Sequence, residues 1–155
     1  MIVVIGCGNT NRSDDGAGVG VVHELQSREL PADVRLIDAG TGGMDVMFHL
    51  EGMQRVIIVD AAQTGAAPGT LYRVPGDQLE TLPPPSNLSL HNFRWQHALA
   101  VGRMIYKDRF PTDISVYLIQ IASLDFGLDM TPAVREAVTQ VADMIAGEVL
   151  HERSA

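Results

Sequence analysis

Four aspartates and one histidine carry the chemistry available to this sequence. Asp14 and Asp15 sit in the loop after the first apolar run, Asp38 follows the second, Asp60 the third, and His91 opens a later helical pattern. Carboxylate and imidazole are the side chains of general acid–base catalysis and of divalent-metal ligation. A helix N-terminus favours neutral imidazole, the form that ligates a metal. Two carboxylates and a histidine with open coordination positions suit nickel, zinc, manganese or iron equally on ligand type alone. Each residue also has a plainer use. Acids at a helix start cap it, Asp38 can bond the amides of its own glycine turn, and Asp60 can cap the turn that follows it. His23, His49 and His151 fall at ordinary helix-surface positions and His97 at a packing position, so none of them is given a role.

The elements that must position these groups follow from the apolar pattern. Ile2–Ile5 is apolar on both faces and predicts a buried strand ending at Gly6-Cys-Gly8. Val19, Val21, Val22 and Leu25 form a helix stripe that should end near Glu29, before Pro31. Val34–Ile37 predicts the second strand, Asp38-Ala-Gly-Thr-Gly-Gly43 a second glycine-rich turn, and Met44 to Leu50 a short helix. Arg55–Val59 predicts a third buried strand ending at Asp60. The next strand, Thr70–Val74, follows too soon for a parallel crossover, which needs a dozen or more residues, so it should run antiparallel. A long connection containing Pro83-Pro84-Pro85 leads to Ser89, a cap that places His91 in the first turn of a helix. Trp95, Ala98, Leu99, Gly102 and Ile105 are that helix's expected core stripe. Ile114–Ile121 is the last strand, and Thr131-Pro132 opens a C-terminal amphipathic helix. Alternating strands and helices of this kind make an α/β fold with a parallel sheet covered on both faces. Ligands bind outside the carboxyl ends of such strands, so the acids share one rim.

Bulk properties narrow the function. A chain of 155 residues with 46% hydrophobic content is expected to be a single domain over 1–155. A net charge of −8 argues against nucleic acid. One cysteine excludes an internal disulfide framework and a cysteine-based zinc cluster, and Cys7 reads as a small buried residue. No apolar run approaches the roughly 20 residues of a membrane span. Met1 leads directly into the first strand without a basic n-region, so no signal peptide is expected and the location should be cytoplasmic. Gly6-Cys-Gly8 begins like a dinucleotide fingerprint, but Asn11 stands where its third glycine belongs. P-loop, G-x-S-x-G and HExxH motifs are absent.

Taken in order, several motifs resemble those of the nickel-iron hydrogenase maturation endopeptidases, which remove a C-terminal extension from the hydrogenase large subunit. They are Gly6-Cys-Gly-Asn-Thr-Asn-Arg-Ser-Asp-Asp-Gly16, Asp38-Ala-Gly-Thr-Gly-Gly-Met44, Ile57-Ile-Val-Asp-Ala61, Ser89-Leu-His91, Ser123-Leu-Asp and Leu128-Asp-Met-Thr-Pro132. The resemblance implies a three-layer α/β sandwich with a twisted, mainly parallel five-stranded sheet, one strand antiparallel and helices on both faces. It maps the family's metal-contacting trio onto Asp15, Asp60 and His91, with Asp15 standing where many members have glutamate. Asp38 becomes an alternative catalytic acid or base, and Asp14 keeps a capping role. The implied reaction is cleavage of a large-subunit precursor after nickel insertion, with nickel supplied by the substrate. Asn92-Phe-Arg-Trp95 departs from the small, glycine-containing stretch found in many members. Two other functions fit the residues: a non-catalytic metal-binding assembly factor for the same partner, and a nucleotide-binding α/β enzyme.

Overall fold

The computed structural model describes residues 1–9, 13–63, 65–75, 95–122 and 130–154, except for the side chains of His97 and residues 152–154. Strand β1 (Ile2–Cys7) is buried from end to end. It lies between β2 (Val34–Gly40) and β3 (Arg55–Ala62), parallel to both. β3 pairs in turn with β5 (Asp113–Gln120), also parallel. The edge strand β4 (Leu71–Pro75) runs antiparallel on β5, as its short approach from β3 requires. The five-stranded order is therefore β2-β1-β3-β5-β4. Pro75 sits at the end of the edge strand, where a missing N–H costs no internal ladder bond.

Strand alternation divides the interior into two layers. Ile2, Val4, Ile57 and Val59 face α1 (Ala17–Leu25) and α4 (Pro132–Ser154). Val3, Ile5, Val56 and Ile58 face α2 (Gly43–Phe48) and α3 (Trp95–Tyr106). Helices thus cover both faces. Among the described residues, no helix is long and apolar enough to cross a membrane.

Several features differ from the sequence expectation, among them β3, which runs past Asp60 to Ala62. β2 continues to Gly40, so Asp38 lies within a strand instead of after it. α1 ends at Leu25, and the chain then leaves through turn bonds from Gln26, Ser27 and Arg28. Ile105 is 56% exposed instead of part of the core. The stripe continues through Tyr106, whose hydroxyl donates to Met47 O at 3.1 Å, because α2 packs on that side of α3.

Close approach of α1 to the sheet depends on Gly6 and Gly18. A Cβ on Gly6 would stand 2.5 Å from Gly18 O, and one on Gly18 would overlap the carbonyls of Val59 and Cys7. These neighbours are backbone and cannot step aside. At the other end of the sheet an ionic cluster binds α4 to the strands. Arg55 Nη2 donates to Glu148 Oε2 at 2.6 Å, Tyr117 Oη donates to the other Glu148 oxygen, and Arg73 Nε lies 3.3 Å from that same oxygen.

Two measurements check this packing. Gly18→Ala should cost about 3 kcal/mol or more in urea unfolding, since an overpacked backbone contact cannot relax. Gly147→Ala, with nothing near its added Cβ on α4, should instead stabilise by about 0.5–1 kcal/mol. Burial, followed by the Glu148 carboxylate, pushes the Tyr117 phenol up to about 12. The folded state therefore holds the protonated phenol more tightly than the unfolded chain, where tyrosine ionises near ~10. Its stabilising contribution is complete below pH ~10 and is lost as pH rises through about 12. An ultraviolet titration should resolve Tyr117 as a late tyrosine, ionising at about 12.

Candidate functional site

The carboxyl ends of β1, β2 and β3 form one rim, but the pleat does not bring all their acids to one side. Gly6 pairs with both Asp38 and Val59, so those two residues share a face. Val59 packs against the α1 layer. Asp38 points the same way: its Oδ2 lies 3.3 Å from His23 Nε2 on α1, and its Oδ1 accepts from Gly40 N at 3.0 Å. Asp60, one residue beyond Val59, points to the opposite face, towards α2 and α3. Its Oδ1 accepts from Ala61 N at 2.8 Å and its Oδ2 from Trp95 Nε1 at 2.9 Å.

Asp15 reaches the same side as Asp60 through a single 3-10 turn, Ser13–Gly16. Ser13 enters that turn at φ +46°, a left-handed conformation costly for a side chain with a Cβ. Asp15 is half-buried, and its Oδ2 accepts from Asn9 N at 3.0 Å. The bond folds the first glycine loop back over the turn. Gly8 takes φ +136°, and its N–H donates to Gly40 O at 2.7 Å, tying the first glycine loop to the second.

Asp14 has a different task from its neighbour. It is fully buried, and it does not cap α1, whose N-cap is Gly16 with no side-chain bond. Its Oδ2 accepts from Ala122 N at 2.8 Å; its Oδ1 accepts from Thr131 N at 2.8 Å, and the Thr131 hydroxyl lies within 3.2 Å of both oxygens. The expected capping of α1 is not made; Asp14 instead binds Thr131, where α4 begins. Thr131 starts that helix, its carbonyl accepting from Arg135 N at 2.9 Å. Thr131-Pro132 announces a helix start in the sequence, but nothing there says which carboxylate will hold it.

Asp15, Asp60 and Trp95 line a cleft of about 180 Å³ with Cys7, Gly8 and the Gly40–Gly43 loop. The Cys7 thiol is pushed well above its ordinary value by burial, then by the negative charge of Asp60 and Asp38. It stays protonated and is no nucleophile. The structure therefore brings Asp15 and Asp60 together and leaves Asp38 outside the cleft. His91 lies outside the described residues, as do Ser123-Leu-Asp and the first two residues of the last motif, Leu128 and Asp129. Among the described residues no three histidine, cysteine or acidic side chains gather closely enough to hold a metal. Asp15 and Asp60 offer two carboxylates to one, and each oxygen has two acceptor directions, so accepting an N–H does not spend it. The contact the sequence did not reveal is the one from Trp95. Its place in an apolar stripe marks it as core, and it is core, at 5% exposure, yet its indole N–H faces Asp60.

Comparison with known proteins covers nearly the whole chain. The model of a family described as hydrogenase maturation protease matches residues 19–148. HoxM, a hydrogenase expression/formation protein of Azotobacter vinelandii, is 34% identical over 154 residues, or 98% of this chain and 73% of its own length. A putative hydrogenase maturation protease of Methanocaldococcus jannaschii is 31% identical over 155 residues, or 96% of each chain. The chain spans 65% of the length of HupD from Thiocapsa roseopersicina, to which it is 30% identical. Among solved structures, the hydrogenase maturating endopeptidase HybD from E. coli matches with a TM-score of 0.82 at 25% identity, over 97% of this chain and 93% of that one.

The Asp14 anchor can be measured directly. Asp14→Asn replaces an acceptor oxygen by an amide that confronts its former donors, and should cost about 2–3 kcal/mol in urea unfolding. Thr131→Val, which loses only the hydroxyl, should cost about 1 kcal/mol. The double variant should cost less than the sum, because both changes remove the same bonds.

Proposed function

This chain belongs to the hydrogenase maturation protease family, and from that membership we propose that it is the endopeptidase that trims the C-terminal peptide of a nickel-iron hydrogenase large-subunit precursor after nickel insertion. The observation that carries the site assignment is the convergence of Asp15 and Asp60, from separate strand ends, on one cleft. In this reading the two carboxylates, with His91, complete the coordination of the nickel that the substrate already carries. That contact holds the scissile bond beside a water that a carboxylate activates as general base. The glycine loops at Gly8 and Gly40–Gly43 give an extended peptide close access to main chain. Asp38, bonded to Gly40 N and His23 on the other side of the sheet, serves the shape of the second loop instead of the reaction.

Charge supplies the gating. A cleft walled by two carboxylates repels phosphate and gains nothing from a neutral peptide alone, which weighs against the nucleotide-binding alternative. A peptide tethered to a divalent cation is attracted by both acids.

The test is the mass of purified precursor before and after incubation with this protein. Nickel-loaded precursor should shorten by its C-terminal peptide, and nickel-free precursor should stay intact. Equal cleavage of both would remove the gating. Tight metal uptake with no shortening would identify the assembly factor instead. Asp15→Ala, Asp60→Ala and His91→Ala should each lower kcat/KM by about 10²-fold or more; Asp38→Ala should keep most of it.

A further inference from the structure

We infer that Trp95 is a positioning residue for this reaction: its indole N–H fixes the direction from which the Asp60 carboxylate meets the substrate's nickel. The inference rests on the proposed peptidase function and deepens it.

An aspartate at a strand end has little to hold its side chain. The Asp60 backbone is set by pairing with Leu118 across the β3–β5 ladder, which leaves two side-chain torsions. Ala61 N on Oδ1 and Trp95 Nε1 on Oδ2 bind the two oxygens separately, so the carboxylate plane is fixed as well as its position. The Ala61 bond is local and follows from the strand itself. The Trp95 bond comes from another element, and it is only as firm as the ring that donates it. That ring is firm: Trp95 is 5% exposed and packs in the layer with Ala98 and Leu99 beneath Val56 and Ile58. Trp95 also lines the cleft itself, so it stands beside any group that Asp60 ligates.

The donor type suits the task. Indole N–H donates only and does not titrate, so it holds an oxygen without competing for the metal or supplying a proton. Partners that orient a ligating carboxylate in this way typically contribute about 10- to 100-fold to metal affinity or activity. Histidine or serine could donate the same bond, but each also accepts, and neither would fill the apolar layer.

Trp95→Phe removes the N–H and keeps an aromatic ring in the layer. With nickel-loaded precursor, kcat should fall about 10- to 100-fold while KM stays within about twofold. A purely structural role predicts the opposite pattern, a lowered Tm with kcat retained per folded molecule, and that result would overturn the inference. Should the variant fail to fold, a second measurement decides. Trp95 is the chain's one tryptophan, so the fluorescence comes from the surroundings of this ring alone. In Asp60→Ala, which keeps the indole, the emission maximum should shift, and an unshifted maximum would dismiss the contact. Wild-type protein that leaves the precursor uncut sinks the peptidase function itself. Wild-type cleavage with an equally fast Trp95→Phe variant sinks only the role of Trp95.

Discussion

Asp14 takes a carboxyl group completely out of solvent at the point where the first loop, the end of β5 and the start of α4 meet. Such a group costs several kcal/mol to desolvate unless donors replace its water. The donors here come from Ala122 and Thr131, both more than a hundred residues along the chain. The bonds can therefore form only when the sheet is closed and α4 is docked. One consequence is local. With Asp14 turned inward and held on both oxygens, the tight turn beginning at the left-handed Ser13 presents Asp15 on the cleft side. The rim is thus built as a unit, and the position of Asp15 is a property of the whole fold more than of its own loop.

A second constraint is the pleat. Asp38 and Asp60 both come at the ends of strands that flank β1, and their sequence settings are alike: an apolar run, an aspartate, an alanine. Register separates them. Asp38 is level with Val59, so the two aspartates differ by one residue and point through opposite faces of the sheet. One meets His23 on α1, the other Trp95 on α3. Shared membership of a rim is a statement about height along the strands. It does not say which layer an acid enters, and the layer decides whether it reaches the cleft.

That difference explains what was legible in the sequence. The parallel core, the antiparallel strand and the helix cover on both faces follow from apolar runs and connection lengths, which are local quantities; the strand order and the edge position of β4 do not. Strand ends place Asp14, Asp15, Asp38 and Asp60 on one rim, and only the family resemblance singles out Asp15 and Asp60 from them. The partners of Asp14 do not follow from the sequence, because a buried ion site is assembled from segments that share no pattern. Nor does the failure of Ile105 to join the core: on helical spacing Ile105 and Tyr106 are equally good continuations of Trp95, Ala98, Leu99 and Gly102. The choice between them is made by α2, through the Tyr106 hydroxyl on Met47 O. Helical spacing marks Trp95 as core and says nothing of its chemistry, since an amphipathic side chain can serve an apolar layer with its ring and a carboxylate with its edge.

The way the cleft acids are held bears on what they select. Asn9 N, Ala61 N and Trp95 Nε1 are neutral donors, and a bond from a neutral donor fixes an oxygen without cancelling its charge. An arginine or lysine in the same places would orient the carboxylates equally well and would neutralise them. The negative field that results is felt within the cleft, where it adds to burial in keeping the Cys7 thiol protonated. These donors orient the carboxylates of Asp15 and Asp60 in a cleft that the Gly40–Gly43 loop also lines. Under the proposed function, that orientation is what would let a substrate's own metal act as the key to its cleavage. The same property would make the loss of one neutral donor an error of aim more than of charge.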